Sequence, residues 1–162
     1  AIDVDRMEFC GLMGSFPTGV TVVTAMTLDG IPHGLTCTAM ASVSLDPPML
    51  LACLSNHSGT LAAIGESLGF AVNILHAGGR GAAELFASRT ADRFGLVAWR
   101  LSPVVAAPLL IEDALALAEC QVDRMIPAGD HTVVLGRVVR VSNTSQAPLM
   151  YGRRRFSVWT GS

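Results

Sequence analysis

Residues 33–60 read HGLTCTAMASVSLDPPMLLACLSNHSGT and predict two strands separated by a proline turn. Asp46, Pro47 and Pro48 end the first strand, and the apolar run 49–54 forms the second. Hydroxyl residues recur at even spacing along the first strand, which would place them on one face. They are Thr36, Thr38, Ser42 and Ser44. Such a face suits a flat polar ligand that needs short donors at close range, or equally an ordinary solvated face.

Hydrophobic periodicity on both sides of this stretch predicts a mainly β protein with short helices. Further strands are expected at 19–27, 69–75, 114–125 and 132–142, with hairpin turns at 28–30 and 126–130. Short helices are expected after a cap at Asp3 or Asp5, near 60–64, and at 81–88. Six or more antiparallel strands with peripheral short helices indicate a small barrel, and 162 residues indicate a single domain over 1–162.

The composition is apolar for a chain of this size. Hydrophobic residues make up 51% and charged residues 15%, and the mean hydropathy is +0.49. The longest uncharged run, between Asp46 and Glu66, contains two prolines and does not resemble a membrane span of ~20 apolar residues. We therefore expect a homo-oligomer with a large apolar interface and no membrane contact.

Charge and cysteine spacing exclude several other classes. The net charge of −2 and a single short basic cluster at 153–155 argue against a nucleic-acid surface. The first residues, AIDVDRMEF, contain acids where a secretory signal has bases, so a cytoplasmic location is expected. The four cysteines form no C-x-x-C pair, so neither a metal site nor a disulfide is expected, and Cys37, Cys53 and Cys120 are interpreted as small core residues.

The common nucleotide-binding motifs are missing. No G-x-G-x-x-G follows a strand, and there is no Walker A sequence and no G-x-S-x-G elbow. A nucleotide cofactor would therefore have to be held without a Rossmann unit or a P-loop.

Six segments nevertheless occur in the order found in one known family. They are FPTGVTVVTA (16–25), GLTCTAMASVSLDPPMLLACL (34–54), FAVNIL (70–75), ADRF (91–94), GDH (129–131) and PLMYGRRRF (148–156). This ordered set resembles the flavin reductase-like family, which has the split-barrel FMN-binding fold and includes reductase components of two-component flavin-dependent monooxygenases. Ser or Asn is common in that family where this chain has Thr38 and Met40.

The resemblance implies an NAD(P)H:flavin oxidoreductase. In such an enzyme NADH or NADPH transfers a hydride to FMN or FAD, and the protein supplies orientation and electrostatics. It also implies a homodimer and a separate oxygenase that receives the reduced flavin by diffusion. Two alternatives stay open: a flavin-bound reductase of another acceptor such as a metal-corrin, and a flavin- or haem-binding module without turnover.

The resemblance also implies a flavin site on two adjoining segments. Residues 36–39 and 42–44 would direct backbone N–H groups to the pyrimidine edge of the flavin. The loop 55–60, the helix that follows it and Arg89 would hold the flavin phosphate. The complete predicted flavin-binding set is Thr36, Cys37, Thr38, Ala39, Ser42, Val43, Ser44, Cys53, Leu54, Ser55, His57, Ser58, Thr60 and Arg89.

His131, in the GDH segment, is the candidate catalytic residue. By resemblance it would position NAD(P)H through hydrogen bonding or stacking rather than transfer a proton, although a turn histidine of this kind is often simply exposed. The predicted nicotinamide-nucleotide set is Asp130, His131, Tyr151 and Arg153. His33 and His76 are expected to be loop or surface residues.

Overall fold

The computed structural model of the chain describes residues 3–161. Three helices and a short 3-10 turn are present in that range: α1 (Arg6–Gly14), α2 (Gly59–Ser67), α3 (Arg80–Ala87) and the turn Arg93–Leu96. The strands are β1 (Thr18–Gly19), β2 (Thr21–Met26), β3 (Pro32–Cys37), β4 (Met40–Leu45), β5 (Pro48–Ser55), β6 (Gly69–Leu75), β7 (Arg100–Leu101), β8 (Pro108–Leu109), β9 (Ala114–Ala128), β10 (His131–Asn143), β11 (Leu149–Gly152) and β12 (Arg155–Val158).

Seven strands form one antiparallel sheet in the order β3-β2-β6-β9-β10-β5-β4. Its two edge strands, β3 and β4, are consecutive in the chain and are joined only by Thr38 and Ala39. The sheet must therefore curl until its edges meet, which produces a barrel that is open along the β3–β4 seam. The Cys53 N–H donates to the Ala39 carbonyl at 2.9 Å across this seam. The predicted mainly β barrel with short helices is confirmed.

The predicted strand 33–45 is interrupted at this seam. β3 pairs with β2 and β4 pairs with β5, so the chain must leave one partner before it reaches the next. A register shift between Ser42 and Ser44 adds a bulge to β4. The prediction that four hydroxyl side chains share one strand face is therefore wrong. Thr36, for example, turns towards α3, where its Oγ1 donates to the Ala83 carbonyl at 2.5 Å.

The barrel interior is filled by fully buried apolar side chains from β5, β6, β10 and α2, among them Leu54, Phe70, Val134 and Ile64. Gly136 on β10 lies against this core, because a Cβ there would be 2.8 Å from Cε1 of Phe70. The β9–β10 hairpin is tighter than the predicted 126–130 turn, since β9 continues to Ala128. This tight hairpin positions residue 131 at the start of β10.

Helix α1 begins at a cap provided by Asp5, one of the two residues predicted for this role. The Asp5 carboxylate accepts from the Glu8 N–H at 2.8 Å, and the Glu8 carboxylate accepts from the Asp5 N–H at 2.9 Å. None of the residues of this helix is buried. Within residues 3–161, no helix has both the length and the apolar character needed to cross a bilayer.

Candidate functional site

Three neighbouring cavities form one groove that starts at α1 and ends at the N-terminus of α2. The seam cavity, of about 470 Å³, shares Thr38 and Tyr151 with the α3 cavity, which is also about 470 Å³. The α3 cavity shares Ser88 with the α2 cavity, of about 390 Å³. The groove therefore extends from the β3–β4 seam past α3 and the β11–β12 hairpin to the start of α2.

The seam cavity has apolar walls and a floor of backbone. Its lining includes Cys10, Met13 and Phe16 near α1, residues 38–41 at the seam, Leu51 and Cys53 on β5, and Tyr151, Gly152 and Arg154. Because β3 and β4 are edge strands, part of their backbone N–H groups point away from the sheet. Ala39 is exposed at this floor, and its short side chain allows a planar ligand to approach the backbone. This combination suits a flat aromatic ring with hydrogen-bonding edges.

The α3 cavity has small, aromatic and charged residues in its lining. Small residues of α3, Ala83 and Ala87, form one wall, and the paired rings of Tyr151 and Phe156 form another, with centroids 5.0 Å apart. The guanidinium of Arg80 lies 5.1 Å from the centre of the Phe156 ring. The cavity connects the apolar seam with the polar end of the groove.

The α2 cavity lies at the N-terminus of a nine-residue helix. The Ser58 hydroxyl accepts from the Leu61 N–H at 3.2 Å and caps the helix. A Cβ at Gly59 would be 2.9 Å from Nδ1 of His33, so glycine allows the imidazole to lie against the helix terminus. The helix dipole and the unpaired N–H groups of the first turn favour an anion here.

Two arginines face the same cavity from the segment after α3. Arg89 is exposed at its rim. Arg93 is held in place, because its Nη1 donates to the carbonyls of Phe86 at 3.2 Å and Ser88 at 3.4 Å. Together with His33 and His57, these side chains surround the cavity with groups that can bind a phosphate.

His131 lies opposite Ser55 in the β5–β10 ladder, at the end of β5 that follows Cys53. Its Nδ1 is 2.7 Å from Oδ1 of Asp130, and 48% of its side chain is exposed. The hydrogen bond and charge of His131 lower the pKa of Asp130, so the carboxylate stays ionised. Asn56 connects the β9–β10 hairpin to the loop 55–60, because its Nδ2 donates to the Gly129 carbonyl at 3.2 Å.

The β11–β12 hairpin turns through Arg153 and Arg154, whose φ angles are +49° and +61°. Two-residue hairpins with this backbone favour Asn and Gly, so two arginines in the left-handed region are strained. The Arg153 N–H donates to the Gly14 carbonyl of α1 at 2.8 Å and fixes the turn. The turn places Arg154 in the lining of the seam cavity.

Many of the predicted flavin-binding residues are brought together. Thr36, Thr38, Ala39 and Cys53 line the seam and α3 cavities, and His57, Ser58, Thr60 and Arg89 line the α2 cavity. Tyr151, predicted for the nicotinamide nucleotide, lines the first two cavities. These residues come from β3, the β3–β4 junction, β5, β11, the start of α2 with the loop before it, and the segment after α3, so only the tertiary fold assembles them.

Other predicted residues lie apart from the groove. Ser42, Val43 and Ser44 follow the seam on β4, and Asp130, His131 and Arg153 lie in the two hairpins; none of these six lines the three cavities. Leu54 is a fully buried core residue, and Cys37 is buried with its thiol directed to the carbonyls of Ala39 and Cys53. The Ser55 hydroxyl accepts from the His57 N–H at 3.3 Å. Cys37, Leu54 and Ser55 could face a ligand only through their backbone or at the rim.

Several residues of the groove lie outside the set predicted from the sequence. The pattern predicts a loop or surface position for His33, but this residue lies on β3, half-buried in the α2 cavity. Arg93 belongs to the ADRF segment, whose resemblance carries no role for its arginine. Arg154 and the α1 residues give no local signal, because only the fold brings them to the seam. Among the described residues, no three His, Cys, Asp or Glu side chains cluster as a metal site requires.

Comparison with known proteins identifies the family. Residues 13–160 match the family described as Flavin reductase like domain, and the chain belongs to this family. The flavin reductase (NADPH) of Lentzea aerocolonigenes is 52% identical over 157 residues, which cover 97% of this chain and 92% of that protein. The resemblance inferred from the six ordered segments is thereby confirmed.

Two further proteins connect the family to oxygenases and to bound nucleotides. The reductase component of 4-nitrophenol 4-monooxygenase/4-nitrocatechol 2-monooxygenase from Rhodococcus opacus is 39% identical over 153 residues, covering 94% of this chain and 80% of that protein. The solved structure of the Streptomyces globisporus NADH:FAD oxidoreductase SgcE6, in complex with NAD and FAD fragments, has a TM-score of 0.90 at 35% identity. The match covers 99% of this chain and 98% of that chain.

Proposed function

We propose that the groove binds FMN or FAD with the isoalloxazine ring in the seam cavity, the ribityl chain along α3 and the phosphate in the α2 cavity. The chain is an NAD(P)H:flavin oxidoreductase, as its family and relatives indicate. One observation supports this placement most strongly: a single groove passes from an apolar slot with a backbone floor to a cavity surrounded by cationic side chains. A flavin nucleotide has the same order of chemical groups.

At the ring end, the protein contributes shape and fixed dipoles. The seam exposes edge-strand N–H groups, and donors of this kind stabilise negative charge that develops on a bound ring. Met13, Phe16 and Leu51 give this end an apolar surface against which the ring can pack. When bound, the flavin supplies the hydride-accepting chemistry, which no side chain of the protein can provide.

At the phosphate end, the protein contributes positive charge. Ser58 caps α2 and Thr60 lies in its first turn, so hydroxyl and backbone donors meet at the helix N-terminus. Arg89 and Arg93, from the segment after α3, line the same cavity. A phosphate there would accept charge-assisted hydrogen bonds, which are about twice as strong as neutral ones.

His131 is proposed to position the nicotinamide, with Asp130, Tyr151 and Arg153 beside the nucleotide. His131 is half exposed and is held by Asp130, so its ring has a fixed direction and a free face. His131 lies just beyond Cys53, which lines the seam cavity, so a nicotinamide reaching the ring end would pass close to it. Its role is positioning, because hydride transfer to a flavin needs little acid–base assistance.

We also propose that the protein is a homodimer. Helix α1 buries no residue of its own and exposes Met7, Phe9 and Leu12, while its C-terminal part borders the seam cavity. A second copy covering α1 would bury this apolar surface and close one side of the flavin site. The single-domain organisation and the cytoplasmic location remain predictions.

A separate oxygenase is the proposed recipient of the reduced flavin, by analogy with the Rhodococcus opacus reductase component. The two alternatives, reduction of a metal-corrin and passive flavin or haem binding, have no contact in the described residues that favours them over the reductase.

The direct test is NAD(P)H oxidation with FMN, FAD and riboflavin added in turn. We expect turnover that depends on flavin, with FMN and FAD both used at lower concentration than riboflavin because they have a phosphate. The proposal would be contradicted if the protein binds flavin but the bound flavin is not reduced by NADH or NADPH under anaerobic conditions.

A further inference from the structure

The turn between β11 and β12 keeps an unfavourable backbone conformation. Arg153 and Arg154 have φ angles of +49° and +61°, a region that glycine and asparagine adopt at much lower cost. Backbone strain of this kind clusters at functional sites, where the particular side chain is needed. Arg155 follows directly in the chain, and we call residues 153–155 the arginine turn.

The positive charge of the arginine turn is not neutralised by the part of the chain that the structure describes. All three residues are exposed, and none of them forms an ion pair with a carboxylate of residues 3–161. The sequence 131–162 contains no Asp or Glu. Glu84, which lines the neighbouring α3 cavity, is already bound by Nε of Arg80 at 2.7 Å. The arginine turn is therefore a cationic surface available to a dissolved anion.

We propose that the arginine turn binds the 2′-phosphate of NADPH, so that the enzyme uses NADPH in preference to NADH. The proposal rests on the proposed function, which places the flavin phosphate in the α2 cavity at the other end of the groove. The anion at the arginine turn then belongs to a second molecule, and the hydride donor is the substrate that has to reach the seam. NADH and NADPH share a diphosphate, and only NADPH has a further phosphate on its adenosine ribose.

Helix α1 connects the arginine turn with the hairpin of His131. At its C-terminal end, the Gly14 carbonyl accepts from the Arg153 N–H at 2.8 Å. At its N-terminal end, Arg6 lies near Asp130: the hydrogen bond and charge of His131 lower the pKa of Asp130 most, and the charge of Arg6 adds a smaller effect. From Arg6 to Gly14 the helix rises about 12 Å. A dinucleotide with its nicotinamide at His131 can therefore extend its adenosine half along α1 to the arginine turn.

The chemistry of Arg154 favours a phosphate monoester. Arg154 lines the seam cavity, so its guanidinium is reached from the place where the hydride donor must bind. The planar donors of a guanidinium match phosphate oxygens and form strong charge-assisted hydrogen bonds. In nucleotide sites, a carboxylate on the ribose 2′-hydroxyl selects NADH, whereas a nearby arginine accommodates the 2′-phosphate of NADPH. Strands β11 and β12 contain no carboxylate, so this hairpin fits the second pattern.

The test compares NADPH with NADH as donors for the flavin-loaded enzyme. We expect the wild type to have a kcat/KM for NADPH roughly tenfold higher than for NADH, the effect of about one hydrogen bond to a charged group. Arg154→Asn should reduce this preference about fivefold or more, mainly through a higher KM for NADPH. Asparagine removes the charge and is favoured in the left-handed region, so this variant should fold. Arg100→Asn removes an exposed arginine outside the seam cavity and should keep the wild-type preference.

Binding of adenosine 2′,5′-bisphosphate and of AMP gives a second readout that involves no hydride transfer. By calorimetry on the flavin-loaded protein, the bisphosphate should bind roughly fivefold more tightly than AMP, and this difference should be lost in Arg154→Asn but kept in Arg100→Asn. Equal kcat/KM of the wild type for NADH and NADPH would overturn the inference. So would a preference for NADPH that survives in a folded Arg153→Asn/Arg154→Asn double variant. Failure of both donors to reduce the flavin would instead contradict the proposed function.

Discussion

Leucine in place of Ala39 should weaken flavin binding, while leucine in place of Ser42 should not. Ala39 is exposed on the floor of the seam cavity, whereas Ser42 is exposed on β4 outside the groove. Both positions tolerate a larger side chain in the free protein, so each variant should fold with an unfolding free energy within about 0.5 kcal/mol of the wild type. The pair therefore separates ligand binding from stability.

The size of the effect follows from the geometry of the floor. In Ala39→Leu the new side chain would project into the space where a planar ring must lie against the backbone, and it could not move into the protein. Overpacking of this kind costs about 1 to 3 kcal/mol, which corresponds to a loss of roughly fivefold to more than a hundredfold in flavin affinity. Ser42→Leu should leave the affinity within about twofold of the wild type, since it changes no residue of the groove.

The assay is titration of flavin fluorescence, with thermal unfolding as the control for folding. Wild-type affinity in a folded Ala39→Leu variant would refute the placement of the ring at the seam. Equal loss in both variants would show instead that the whole predicted segment 36–44 contacts the flavin, as the sequence pattern alone predicts.

Three further outcomes are expected. His131→Ala should leave flavin affinity nearly intact but lower kcat/KM for NAD(P)H about tenfold to a hundredfold, measured by anaerobic stopped-flow reduction; unchanged reduction kinetics would assign the nicotinamide to another place. Gly136→Ala should destabilise the protein by about 1 to 3 kcal/mol in urea unfolding, because the new Cβ would meet the Phe70 ring in the core, and a neutral effect would mean that this core yields easily. Burial raises the pKa of the Cys120 thiol to about 12, so above pH 9 the unfolded chain releases this proton more readily and the unfolding free energy falls. Cys120 alone should contribute a slope of up to about 1.4 kcal/mol per pH unit. Burial also raises the pKa of the Cys37 thiol, so the contribution of Cys120 is the difference in slope between the wild type and Cys120→Ala.

Features that depend on local interactions could be predicted from the sequence. The pattern predicts a helix cap at Asp3 or Asp5, and the structure has the cap at Asp5, where both hydrogen bonds with Glu8 are present. The resemblance to the flavin reductase-like family implies that the loop 55–60 holds a phosphate, and the loop's position directly before α2 agrees with that role.

Features that depend on a change of pairing partner could not be predicted. The hydrophobic pattern of 33–45 does not show that Thr38 and Ala39 separate two strands on opposite edges of the sheet. The even spacing of the hydroxyl residues therefore suggests one common strand face. This face does not exist, because the chain changes its pairing partner between β3 and β4. The contact between His33 and Gly59 could not be predicted from the sequence for a similar reason. The two residues are 26 positions apart and meet only because β3 packs against α2.

The central claim is that one groove binds a flavin nucleotide with its phosphate at the N-terminus of α2. The most direct test is the ratio of the dissociation constants of riboflavin and FMN. The ratio is measured in the wild type and in Arg89→Ala. Arg100→Ala is the control, because Arg100 is exposed and lies outside the groove. Because Arg89 is exposed, its bond to phosphate should contribute about 1 to 2 kcal/mol, and its loss should lower the ratio roughly fivefold to thirtyfold. We expect Arg89→Ala to weaken FMN binding by that factor and to leave riboflavin binding unchanged. Arg100→Ala should change the affinity for neither ligand. A wild type that binds riboflavin as tightly as FMN, or an equal loss for both ligands in Arg89→Ala, would contradict the account.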